Sequence, residues 1–235
     1  MSQHGLSAAS MVRRWGLGMA LVTWRYVWAT LPLHRTQSWD AVPRRPPAVP
    51  ADVSREGIQD WSSGSGPAVH RLFRARIRDA GADAATVIDA MSREFERLLP
   101  REVVRVHRDD PDGAVARAGE DLVVDMPGPW NGPVRVLVSD PTRLRLATLV
   151  GHLEAGQIEF RASDGDDLVF EIEVWARPAD WRVRGLYTWL RLAKEIQLNM
   201  WVRVCQAAAH EAGGRLVDGV EICTTITPAS EPAVG

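Results

Sequence analysis

The chain has 235 residues, 46% of them hydrophobic, enough for one core of about 150–200 residues with an extension left over. Its 28 Lys and Arg nearly balance 30 Asp and Glu, which excludes a general electrostatic attraction to nucleic acid. Two cysteines, Cys205 and Cys223, exclude a disulfide scaffold and a zinc ribbon; they read as reduced structural thiols in a cytoplasmic protein.

Residues 1–10 are small and polar. In residues 13–33, Leu17, Leu21, Trp24, Trp28 and Leu31 fall near one face of a helix. Arg13 and Arg14 precede an apolar run in the manner of a secretory signal, but Arg25 interrupts it and no small-residue cleavage site follows. The run is also shorter than a membrane span of about 20 residues. Two readings stay open: a helix packed on the main domain, or an interfacial helix touching the membrane periphery through Trp15, Trp24 and Trp28. Residues 40–67 hold Pro43, Pro46, Pro47 and Pro50, then Ser62-Ser63-Gly64-Ser65-Gly66-Pro67, and read as a linker or wrapping arm.

Alternation predicts a strand over 70–78. Leu72 lies out of phase with Phe73, Ala75 and Ile77, which implies cover on both faces at the strand's start. Asp83 caps a predicted helix over 84–98, striped by Val87, Ile88, Met91, Phe95 and Leu98 and ended by Pro100. Strands follow at 103–106, 121–126, 134–139, 144–150, 157–162 and 168–176. A tight turn over 128–133 centres on Trp130, and Asp164-Gly165 marks a hairpin. A long helix is predicted from Asp180 to about Glu211, stopped by Gly213-Gly214, with a short strand over 220–227. The expected division is 1–67 as extension and linker, 68–228 as the main domain and 229–235 as a disordered tail. The class is α+β: a curved antiparallel sheet burying its apolar face against one long C-terminal helix.

Several motifs go further. They are Trp24-Arg25-Tyr26, Pro32-Leu33-His34-Arg35, His70-Arg71, residues 128–136 (GPWNGPVRV), residues 147–158 (ATLVGHLEAGQI), Trp175-Ala176-Arg177 and residues 193–197 (AKEIQ). Together they resemble the bacterial family called domain of unknown function 1990, over most of residues 11–225, with the GHxEAG-type core the most specific part. Leu72 stands where that pattern has a basic residue, and Val174 where it has Ser. The resemblance implies a START-like helix-grip fold of the polyketide-cyclase type, with a cavity beside the helix. It carries over no reaction.

Candidate site residues cluster in 144–177. His152 and Glu154 sit in a glycine-bracketed turn. An H-x-E pair serves zinc deaminases, but the downstream PCxxC they require is absent, as is HExxH, so no metal or other cofactor is expected. His152 is either a hydrogen-bonded turn residue or a general acid–base at the cavity mouth. Gln157, Glu159 and Arg161 alternate with Ile158 and Phe160; Glu171, Glu173, Trp175 and Arg177 alternate with Phe170, Ile172 and Val174. The two polar rows share one face, which is either a solvated ladder or buried with Arg161 or Arg177 as partners. Glu195, Gln197 and Trp201 mark the long helix, and Trp130 could gate the cavity or plug the sheet's end.

The expectation is a binding protein for a small hydrophobic or aromatic ligand, with Trp130, Gln157, Arg161, Trp175, Glu195, Gln197 and Trp201 around it. The alternatives are an acid–base enzyme working through His152, Glu154, Glu173 and Arg177, and a membrane-associated lipid carrier.

Overall fold

A computed structural model describes residues 32–93, 98, 105–108, 115–125, 131–179 and 187–229. In chain order these form β1 (Leu33–Trp39), β2 (Ala68–Arg78), α1 (Ala84–Arg93), β3 (Arg105–Arg108), β4 (Asp121–Asp125), β5 (Asn131–Asp140), β6 (Arg143–Thr148), β7 (Glu154–Ser163), β8 (Leu168–Pro178), α2 (Tyr187–Glu211) and β9 (Arg215–Thr227). The described strands make one sheet in the order β1-β9-β2-β8-β7-β6-β5-β4-β3. All neighbours pair antiparallel except β1 and β9, which run parallel.

Alternation decides what each face buries. Phe73, Ala75 and Ile77 of β2, Phe170 and Ile172 of β8, Phe160 of β7 and Leu144 and Leu146 of β6 point to the side on which both helices lie, and all are buried. The α1 stripe of Val87, Ile88 and Met91 closes over the β6–β8 part of this face. Asp83 Oδ1 accepts the Thr86 amide at 2.8 Å, and Asp164 of the β7–β8 hairpin takes the Ala84 amide at 2.8 Å, so two carboxylates cap the helix. α2 packs across β2, β8 and β9. Ala208 and Ala212 let it approach closely, and the Ala212 carbonyl accepts from Gly81 and Ala82 at 2.7 and 3.1 Å. A long helix held against one face of an antiparallel sheet is the helix-grip arrangement.

Two strands depart from expectation. β9 has 13 residues instead of a short run, and it inserts between β1 and β2, so the long helix is not the last element. The reason is a bulge: Val217 pairs with Arg76 and Val220 with Ala75, leaving Asp218 (φ 57°) and Gly219 (φ 81°) outside the ladder. That interruption breaks the alternation and hides the first half of the strand. β1 begins at Leu33, where the predicted N-terminal helix was to end; all its residues after Leu33 are exposed, and its pairing is with chain about 190 residues away, as Leu33 opposite Val220 shows. The rest of that predicted helix, with Trp15, Trp24 and Trp28, lies outside the described residues, as does the tail from residue 230.

Residues 40–66 form a third layer on the face opposite the helices. Val49 and Val53 bury against Leu137 and Ala147, and Trp61 packs with Ala68 and Trp175. The arm is stitched to the sheet by backbone bonds: Gln59 N to Thr148 O at 2.8 Å, Val150 N to Gly57 O at 2.9 Å and Ser65 N to Pro178 O at 2.7 Å. Arg135 clamps it: its Nη1 donates to the carbonyls of Ser54 and Glu56, at 3.0 and 2.7 Å, while a bidentate pair with Asp121 fixes the guanidinium. The start of β2 is accordingly covered on the arm side, where Ala68 and His70 are buried, while Val69 on the helix side is only half-buried, so the expected cover on both faces is not found there.

Gly219 offers a test of the bulge. A Cβ there would stand 1.9 Å from the Pro32 carbonyl oxygen, whereas Gly57, also at positive φ, has open space around it. Both Gly→Ala variants incur left-handed strain of about 1 kcal/mol. Gly219→Ala is expected to lose a further 1–3 kcal/mol or so from the forced shift of backbone, read as the difference in urea midpoints between the two variants.

Candidate functional site

The polar rows of β7 and β8 occupy the arm side of the sheet. Across the register Arg145 faces Glu159, Glu159 faces Glu173, and Glu173 faces Leu72; one pair along, Arg161 faces Glu171 and Glu171 faces Arg74. Arg161 is the hub. Its Nε donates to Glu171 at 2.6 Å, and its Nη1 donates to Glu173 at 2.6 Å and to Glu159 at 3.4 Å. Arg74 Nε takes the other Glu171 oxygen at 2.7 Å, and His70 Nε2 lies 2.7 Å from the other Glu173 oxygen. The apolar partners of these rows do line the helix side, but the ladder is covered over its Arg145–Glu159–His70 part, where Arg145 and Glu159 are each only 6% exposed and His70 7%; Arg161 and Arg74 keep contact with solvent. The covering chain is the arm, whose Ala48 and Pro47 carbonyls accept from Arg145 Nη2 at 3.3 Å and Gln157 Nε2 at 3.1 Å.

The electrostatics follow from this packing. Burial pushes the Glu173 carboxyl up, but hydrogen bonds from His70 and Arg161 more than offset it and hold it below its ordinary range. Burial would likewise lower Arg161; its bonds to Glu171 and Glu173 instead raise it further. Arg145 is pulled down by burial, with Glu159 opposing at 3.9 Å. Arg145 Nε and Gln157 Oε1 are buried without a hydrogen-bond partner, a complementary donor and acceptor of the kind a buried water bridges.

The His152 turn lies at one end of this sheet. The His152 amide donates to Leu149 O at 3.0 Å, and Gly151 takes φ 101°. Nδ1 stands 3.0 Å from both the amide nitrogen and the carbonyl oxygen of Glu154. Burial lowers the imidazole pKa against the pull of the Glu154 carboxylate, and Nδ1 either accepts the Glu154 N–H or donates to the Glu154 carbonyl, according to the tautomer. The ring abuts Gly132, where a Cβ would come within 3.1 Å of Cδ2. Gln59 of the arm donates to the carbonyls of His152 and Glu154 at 3.0 and 2.9 Å. The turn is thus held from two sides, by the second Gly-Pro pair of the 128–133 motif and by the arm.

On the helix side, the register row beyond the closed core is different. In it Ile158 and Val174 are only half-buried, and Arg71, opposite Val174, donates from Nε to the buried Thr224 hydroxyl at 3.0 Å; Val69, in the row after, is half-buried too. Trp201 of α2 meets Phe160 edge-on with centroids 5.6 Å apart, and its buried indole N–H has no partner among the described residues. Cys205 is fully buried beside them, which drives its thiol pKa far up and makes it inert.

These positions separate the predicted site residues. Glu173, Arg177, Gln157, Arg161 and Trp175 lie on the arm side, away from α2, so they do not line a sheet–helix cavity with Trp201; strict two-residue alternation forces the division. Glu173, Arg161, Gln157 and Trp175 do form one buried cluster, with Arg177 at its end. His152 is spent on its own turn, and Glu154 alternates to the face opposite Arg177. Trp130 and the side chains of Glu195 and Gln197 lie outside the described residues. Arg145 and Trp61 were not singled out from sequence, and His70-Arg71 entered only as a motif of the family resemblance and not as site residues. His70 and Arg145 carry the same two-residue phase as the rows they join; Trp61 gave no local signal. Among the described residues no group of three or more His, Cys, Asp or Glu could hold a metal ion.

With the site laid out, relatives can be placed. The family profile described as "Domain of unknown function (DUF1990)" matches residues 74–212, more than half of the chain. The chain belongs to the DUF1990 family. No curated protein matches it. Among solved structures, this DUF1990 chain is similar in outline to the KanY protein (12% identity, 61% of this chain and 96% of that one, TM-score 0.46). It is similar also to a START superfamily protein from Mycobacterium smegmatis (12% identity, 60% and 98%, TM-score 0.42) and to Thalictrum norcoclaurine synthase (12% identity, 62% and 97%, TM-score 0.43). The site assignment rests on the geometry above and not on these.

Two pH effects follow for this DUF1990 chain. Glu173 has a folded pKa below its ordinary 4.5, so its contribution is complete above that value and is lost as pH falls through the folded pKa. Glu173→Gln should therefore cost about 1–3 kcal/mol at neutral pH, and the gap to the parent should close in acid below the ordinary value, in denaturant titrations at stepped pH. His152 has a folded pKa below its ordinary 6.5, so the parent loses stability as pH falls below 6.5. His152→Asn, whose side-chain oxygen can replace Nδ1 as acceptor, should show a flatter stability profile between neutral pH and about pH 5.

Proposed function

We propose that the protein binds a small hydrophobic or aromatic molecule between the sheet and α2, at the end of the β2–β8–β7 face that the helix does not close. The observation that carries this is the step in burial along one face. Phe73, Ile172 and Phe160, one register row, are fully buried, while Ile158 and Val174 of the next row on that face, and Val69 of the row after it, are only half-buried. Exposed apolar floor of this kind, bounded by a few fixed polar groups, is what ligand clefts present. Arg71 with Thr224 supplies one polar anchor, and the unpartnered Trp201 N–H supplies a donor. An acceptor on the ligand would relieve a buried donor whose isolation costs about 1–3 kcal/mol.

No observation favours the acid–base enzyme: His152, Glu154, Glu173 and Arg177 do not converge on one reacting centre. The membrane-associated reading rests on Trp15, Trp24 and Trp28, outside the described residues; among the described residues no helix is long and apolar enough to cross a membrane.

The test is native mass spectrometry of material co-purifying with the full chain, followed by titration of what is found. Parent protein is expected to retain an apolar compound. Val174→Glu should abolish retention, and Trp201→Phe should weaken ligands bearing an acceptor by about tenfold while sparing their hydrocarbon analogues. Equal retention by Val174→Glu and parent would overturn the proposal.

A further inference from the structure

The arm side of the sheet holds a second constellation at the end of β8. Trp61, 6% exposed, has two guanidiniums beside its ring: Arg177 at 5.2 Å and Arg45 at 5.9 Å from the centroid. Each contact attracts by about 0.5–1 kcal/mol, yet two cations at one ring also repel. Neither arginine has a carboxylate partner among the described residues. Asp60, next in sequence to Trp61, spends Oδ1 on the amide and hydroxyl of Ser62, and Glu154 alternates to the other face of the sheet.

Three polar atoms in this neighbourhood are buried without a partner among the described residues: Trp61 Nε1, Arg177 Nε and Ser65 Oγ. The first two can only donate, and the third can donate. Leaving a buried donor unmade costs about 1–3 kcal/mol, so three together with two unpaired cations call for acceptors and negative charge. The frame is rigid. Ser65 N donates to Pro178 O at 2.7 Å and Arg177 Nη2 to Gly66 O at 3.0 Å, while Gly64 lies so close that a Cβ would stand 2.6 Å from Arg177 Cβ. Donors held in advance of the ligand bind it with little ordering cost.

We propose that Trp61, Ser65, Arg177 and Arg45 form a binding site for a phosphate group, on the face of the sheet opposite the sheet–helix cleft. Phosphate suits it better than a carboxylate because two unpaired guanidiniums match the charge of about −1.5 to −2 that a phosphate monoester carries at neutral pH. Arg177 is the fixed donor and Arg45, on the solvent side of the arm, closes over the bound group. The site is independent of the apolar cleft and of what occupies it.

The experiment follows the Trp61 indole N–H by ¹⁵N NMR on the full chain, assigned by its loss in Trp61→Phe. Inorganic phosphate is titrated against chloride at matched ionic strength, and in parallel vesicles of phosphatidylcholine with and without phosphatidic acid are added. The expected result is a saturable shift of that one resonance with phosphate, absent with chloride, abolished in Arg177→Gln and weakened about tenfold in Arg45→Gln. A response confined to phosphatidic acid vesicles would support the site and assign the phosphate to a membrane. Arg45 is exposed and stands over the Trp61 ring, so Arg45→Gln is the milder substitution and keeps the test valid if Arg177→Gln does not fold. No shift with either source, the same shift with chloride, or parent-like titration of Arg45→Gln would overturn the proposal.

Discussion

One guanidinium, that of Arg161, holds three carboxylates from two strands on the arm side of the sheet. Taking ions out of water costs several kcal/mol each, and mutual attraction repays it only when every remaining lone pair and proton finds a partner. Here the partners come from outside the ladder. His70 and Arg74 complete Glu173 and Glu171 from β2, and the arm brings backbone carbonyls to Arg145 and Gln157. The arm therefore acts as more than a cover. Its prolines leave carbonyls without a competing internal donor pattern, and those carbonyls are what the buried side chains use.

Because the ionisable groups satisfy one another on the arm side, the helix side can remain apolar. Among the described residues its polar groups include Arg71 bonded to Thr224 and the Trp201 indole. The ligand cleft proposed above would select chiefly by shape and area, with one or two hydrogen bonds setting orientation. His152 and Glu173, both candidate catalytic residues by sequence, do not cooperate. One is locked in a turn by Gly132 and Gln59, the other is a member of the Arg161 network.

Most of the elements were legible because their signals are local. The Val87, Ile88 and Met91 stripe under the Asp83 cap, the alternation of 157–162 and 168–176 and the Gly213 stop all act within a few residues. β1 was not legible, since a parallel pairing with β9 leaves no trace in its own exposed sequence. The first half of β9 was masked by its bulge. Alternation also showed that Glu159, Glu171, Glu173 and Arg161 share a face, but not which layer meets that face. That depends on Pro47 and Ala48 reaching Gln157 and Arg145, contacts about 100 residues apart in the chain that no window of sequence contains.

β8 is where the two faces have to be kept apart. Trp175 and Arg177 serve the arm side and Val174 and Ala176 the helix side, so a slip of one residue would carry a guanidinium onto the apolar helix side and strand valine among carboxylates. Gly156 guards against it. It lies opposite Ala176, and a Cβ there would stand 1.9 Å from the Trp175 carbonyl oxygen. Every other residue of the 154–163 strand has a side chain and would collide on being moved into that place. The glycine that closes the GHxEAG-type core thereby fixes the register on which both the ion network and the apolar helix side of the sheet rest, a role that needs no chemistry from the histidine of the same motif.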